Sequence, residues 1–175
     1  MFIAGVLLLS APALGAVLPS EFGHYALHGT AHVTGNGLAD REVTADLWAE
    51  VSPGRAPSEV RVELGWRAYR CAVEASLAPS GELAFAEGQA CQLFVAEPEA
   101  RGPVEGRLRS GRGRLRDGLL ELELAFEVSG TLQARLPGRR ITFLGTEVEL
   151  PDTWMPGLPV HGSLTSSARG SRNRP

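Results

Sequence analysis

The sequence predicts an all-β domain, an antiparallel β-barrel or two-sheet β-sandwich of roughly eight strands joined by hairpins. Three observations carry this. Beyond the first twenty residues, apolar and polar side chains alternate almost everywhere, the pattern of half-buried antiparallel strands. Turn signals recur between the alternating runs, at Asn36-Gly37, Pro53-Gly54, Pro79-Ser80-Gly81, Asp117-Gly118 and Pro137-Gly138. A helical apolar stripe with capping residues at its ends is found nowhere.

Taken in order, 24–33 places Tyr25, Leu27, Ala31 and Val33 on one face, and 41–51 does the same with Val43, Ala45, Leu47, Ala49 and Val51. A long alternating run covers 58–77, and 83–96 returns after the Gly81 turn. In 119–132, Leu120, Leu122, Leu124, Phe126, Val128 and Leu132 oppose a face of Glu121, Glu123, Ala125 and Glu127. Residues 139–150 form a further candidate strand region and 158–165 a last short strand. The remainder, 166–175, is polar and reads as a disordered tail.

Asp117-Gly118 is a two-residue hairpin signal of the type I′ kind. Folding there sets Arg114 opposite Glu121 and Arg112 opposite Glu123, with Gly113 and Gly111 against Leu122 and Leu124. Continued unbroken, that register would put Arg109 and Arg107 among apolar neighbours. A bulge near Ser110-Gly111 is therefore expected, turning Leu108 back inward. The arginine-rich run SGRGRLRDG is thus one charged face of a hairpin rather than a phosphate grip. From 101 to 127, six arginines meet five acids and no stacking aromatics are interleaved, which argues against nucleic acid.

The two cysteines, Cys71 and Cys91, lie symmetrically about Gly81, so a hairpin turning there would face them across a strand pair as a disulfide. Neither stands in a CxxC or Cys/His cluster of zinc-site type. The first twenty residues carry no charge, and an apolar run from Phe2 to Leu9 precedes a small-x-small site at Ala13-Leu14-Gly15. Residues 1–16 therefore read as a secretory signal, followed by one domain, 17–165, in a secreted, periplasmic or bacterial cell-envelope setting where a disulfide persists.

The chain has 175 residues, 43% apolar and 21% charged, with a formal net charge of −3, a globular balance without a bias toward polyanions. All 17 basic residues are arginine, which excludes Schiff-base and Walker A lysine chemistry. His24, His28 and His32 recur every four residues, about 13 Å apart on a strand and too far to share a zinc ion. No GxSxG elbow is present, and the carboxylates fall on solvent faces or in turns. No catalytic residue, metal or cofactor is assigned. A carboxylate pair drawn from Asp46, Glu50 and Glu63 would be the only basis for a hydrolase.

Trp48 lies with Thr44, Asp46 and Glu50 on the face opposite the apolar one, and Trp66 is expected on one face with Arg70 and Glu74. Trp48, Trp66 and Tyr69 are accordingly the candidate ligand contacts. The layout resembles calycin-like secreted barrels at the level of fold alone, which implies an interior able to hold one small ligand. The expected function is non-catalytic binding of an apolar small molecule or lipid in the barrel interior. The alternatives are a structural or assembly role through protein–protein contacts in an envelope or extracellular complex, and a carbohydrate-binding surface.

Overall fold

The computed structural model describes residues 19–36, 40–67, 69–143 and 146–173, so residues 1–16, read from the sequence as a secretory signal, lie outside the described residues. A single 3₁₀ turn, Pro19–Glu21, precedes β1 (Gly23–Asn36), β2 (Arg41–Pro53), β3 (Glu59–Trp66), β4 (Tyr69–Leu77), β5 (Glu82–Phe85) and β6 (Ala90–Ala96). Then come β7 (Ala100–Arg116), β8 (Leu119–Leu136), β9 (Arg139–Phe143), β10 (Thr146–Leu150), β11 (Thr153–Trp154) and β12 (Leu158–Arg172).

Hydrogen-bonded neighbours run β8–β12–β1–β2–β3–β4–β5–β7, and β7 pairs back onto β8, so the antiparallel ladder closes on itself as an eight-membered ring. The circuit can be followed through inward-facing positions. Pro53 pairs with Val60, Val60 with Ala75 and Ala75 with Phe85, which lies against Gly111. Gly111 pairs with Leu124, then Ser166, Ala31 and Val43, which is on β2 again, ten residues from Pro53. A ring closed with such a stagger must have tilted strands, the geometry of a barrel.

The inward side chains form one continuous core. Tyr25, Val51, Val60, Val62, Val73, Leu108, Leu115 and Leu120 are essentially inaccessible, and Leu122 and Leu124 nearly so. One end of the barrel is closed by the 3₁₀ turn. Phe22 packs on the core, the Tyr25 hydroxyl donates to the Glu21 carbonyl at 2.7 Å, the Glu21 carboxylate accepts from the Gly118 amide, and Arg172 reaches the Ser20 carbonyl. Burial, reinforced by the Glu21 charge and opposed by Arg172, pushes the Tyr25 hydroxyl up to about 12.

The β7–β8 hairpin follows its expected register. Arg114 faces Glu121 and Arg112 faces Glu123, with both Asp117 and Gly118 at positive φ as a type I′ turn requires. The ladder shifts by one residue between Leu108 and Ser110, returning Leu108 to the core and leaving Arg109 outside, paired with Glu127. A side chain at Gly111 would strike Leu124 and Phe85, and one at Gly113 would strike the Glu121 carbonyl and Leu122. These glycines make room for the large residues opposite.

Four expectations are corrected. The run 58–77 is two strands, because the chain reverses at Arg67 (φ +52°), which shifts the alternation by one. The return run 83–96 is also two, β5 and β6, separated by a turn at Glu87-Gly88. Cys71 and Cys91 are bonded with Cα atoms 5.2 Å apart, but not on one hairpin ladder, since β5 ends at Phe85 and Cys91 belongs to β6. Finally, Ser166–Arg172, read as part of a disordered tail, continues β12 between β1 and β8. Its inward residues Ser166, Ala168 and Gly170 are too small to give an apolar signature, so ladder bonds on both sides hold it in place.

Candidate functional site

The structure divides the three candidate contacts between two faces of the wall. Trp48 is outside, as its alternation requires. Its indole lies flat over Gly65 of β3, where a Cβ would come within 2.0 Å of the ring, and the Arg70 guanidinium sits 4.7 Å from the ring centroid. Arg70 is in turn 3.8 Å from Glu63. Gly65 and Arg70 thus both lie against this indole, which is half-buried.

Trp66 is not on the face of Arg70 and Glu74. The reversal at Arg67 pairs Trp66 with Tyr69, on the inward side that continues Val60, Val62 and Leu64. The two rings stack with centroids 5.6 Å apart and an interplanar angle of 26°. The Arg67 guanidinium lies 4.9 Å from the Trp66 ring centroid. The Tyr69 hydroxyl donates to Glu97 at 3.0 Å, and Glu97 also stands 3.6 Å from Arg67. Burial first, then the bond to Glu97, raises the Tyr69 hydroxyl above its ordinary range. The pair forms a rim at the end of the barrel opposite the 3₁₀ turn.

Between this rim and the sealed core the inward face changes its burial without changing its chemistry. Val33, Val43, Leu47, Leu64, Phe126 and Leu164 remain apolar and inward by register, yet they are only half-buried. Leu47, Leu64 and Phe126 rest directly on the sealed core, and the apolar inward face above them, from here called the cup, keeps surface open to solvent. On its β4–β6 side the wall is held by the disulfide rather than by a ladder. The Gln89 carboxamide accepts from the Glu74 amide at 2.6 Å and donates to the Glu74 carbonyl at 2.8 Å, as a neighbouring strand would.

The outer surface carries a concavity of about 600 Å³ across β2, β1, β12, β8 and β7, bordered by Thr30, His32, Glu42, Arg112, Glu123 and Ser167. Arg112 and Glu123 satisfy one another at 2.6 Å, and the Thr30 and Ser167 hydroxyls lie 3.3 Å apart. The histidines of β1 face outward toward carboxylates. His28 lies 2.9 Å from Asp46, and His32 lies 3.3 Å from Asp40. Among the described residues, no three histidine, cysteine or acidic groups are placed to hold a metal ion. No described helix is long and apolar enough to cross a membrane.

The cup residues were visible in sequence as apolar alternation, but nothing there distinguished them from the sealed core. Arg67 carried a weak signal, the shift of alternation between Trp66 and Tyr69. Comparison with family models, curated proteins and solved structures finds no match to this chain.

Proposed function

We propose that the chain is a non-catalytic binding protein of an oxidising compartment, secreted or in the periplasm or cell envelope, and that it takes an apolar small molecule or lipid in the half-open cup. The supporting observation is the gradient of burial along one chemically uniform face. Val51, Val60 and Val62 are at most 1% exposed, so the sealed half has no free apolar wall to offer. Val33, Val43, Leu47 and Leu64 continue the same face with surface still open to solvent. A ligand covering that surface would gain about 25 cal/mol per Å² of apolar area removed from water. The Trp66–Tyr69 rim supplies aromatic edges and two polar tips at the entrance, the usual make-up of such sites.

The test is titration of the full chain with a fluorescent fatty-acid analogue, alongside native mass spectrometry of protein purified from its host. Saturable binding is expected in the parent and a loss of at least tenfold in Val33→Asp. That position is half-buried and above the sealed core, so circular dichroism should show the variant folded. Absence of saturable binding, together with no co-purifying ligand, overturns the reading.

A further inference from the structure

The lengths of β2 and β3 differ, and the difference leaves a strand edge open. β2 pairs with β1 from Arg41 through Val51, but its pairing with β3 begins only at Trp48 opposite Gly65. Among the described residues nothing pairs with Glu42–Leu47 on the side away from β1. On the other side of the β3–β4 turn, β6 ends at Ala96, and Glu97 next to it stands against Arg67 of that turn. Folded proteins blunt such edges with proline, a bulge or an inward charge. Glu42–Leu47 has none of these, and its register with β1 is unbroken.

We propose that this edge is a docking site for an extended segment of another protein, added antiparallel to β2, with alternating apolar and basic side chains. Main-chain N–H and C=O groups on the side away from β1 demand an extended polypeptide. The two faces of β2 then select its side chains. Val43, Ala45 and Leu47 face the cup and call for apolar neighbours. Glu42, Thr44 and Asp46 face outward, with the Asp46 side chain 93% exposed, and call for basic ones. A second copy of the chain fits poorly. In the two-fold register that pairs all of Glu42–Asp46, Glu42 of each copy would stand opposite Asp46 of the other.

The experiment uses the full chain and a labelled seven-residue peptide alternating valine and arginine, followed by fluorescence anisotropy. Saturable binding is expected, weakened more than tenfold when N-methyl groups block the alternate amides that face β2. The same modification on the intervening amides should leave affinity within about threefold, because those amides point to solvent. The exposed double variant Glu42→Arg/Asp46→Arg should exchange the preference to a valine–glutamate peptide. Equal loss with both methylation patterns, no saturable binding, or a dimer that excludes the peptide would each overturn the proposal. Fatty-acid binding in the cup is read separately and does not decide this outcome.

Discussion

Breaking the Cys71–Cys91 bond is expected to destabilise the fold by about 3 kcal/mol. The bond closes a loop with a sequence separation of 20, for which the chain-entropy relation gives roughly 3.3 kcal/mol at 25 °C. The structure indicates how that loss would be distributed. β6 has a full ladder to β7, but toward β4 it is held by the disulfide and the Gln89 carboxamide. Opening the bond therefore loosens β6 while the β7–β8–β12–β1 ladders stay intact. Urea denaturation of the oxidised chain and of Cys71→Ala/Cys91→Ala should show a lower midpoint with little change in slope, and melting should fall by roughly 6–12 °C. Amide exchange should accelerate in Cys91–Val95 before it does in β8. A loss under about 1 kcal/mol, or equal acceleration in β6 and β8, would refute the assignment of the disulfide as the closure of this wall.

Three further outcomes test the packing. Because the Tyr25 hydroxyl titrates higher folded than unfolded, its stabilisation is complete below pH 10 and disappears as pH rises toward about 12, a loss of up to about 3 kcal/mol. Unfolding free energies of Tyr25→Phe from urea titration should lack that alkaline slope and lie about 1 kcal/mol lower at neutral pH, from the lost bond to Glu21. Gly65→Ala drives a methyl group into the Trp48 ring, so it should cost about 1–3 kcal/mol and red-shift the tryptophan emission; an unchanged spectrum contradicts the stacking. Deleting Arg109 removes the bulged residue and leaves Leu108 inward, so stability should change by no more than about 1 kcal/mol. Deleting Arg107 makes a ladder of the same length with Arg109 inward and Leu108 outward. It should cost at least about 3 kcal/mol by thermal melting.

Where local chemistry dominated, the sequence was sufficient. Asp117-Gly118 fixes a two-residue turn, and the Arg112–Glu123 and Arg114–Glu121 oppositions follow by counting outward. The bulge was legible for the same reason: an unbroken register would have buried Arg107 and Arg109. The reversal at Arg67 was less visible, because a two-residue turn without glycine, proline or asparagine leaves only a one-residue shift in alternation. The C-terminal half of β12 carried no local signal. Ser166, Ala168 and Gly170 fit between β1 and β8 because they are small, and a strand selected for smallness has the composition of a tail.

The candidate site depends on differences between distant strands, which is why single-strand alternation did not reveal it. Val43 and Val51 sit on the same face of β2 and are chemically the same residue. Val51 is buried because β3 stands beside it as Val62, whereas beside Val43 the β3–β4 hairpin has already turned. The ten-residue stagger around the ring amplifies this effect. It carries β2 well past the end of β3, so a short hairpin in the wall opens the cup and bares the β2 edge at once. Lengthening β3 and β4 by four residues each with an alternating Val/Thr insert at Arg67 should therefore bury Val43 and Ala45, suppress fatty-acid binding and block the peptide edge together. If the insert blocked the edge but left fatty-acid binding intact, the cup would have to open elsewhere, and the common origin of the two features in one short hairpin would be wrong.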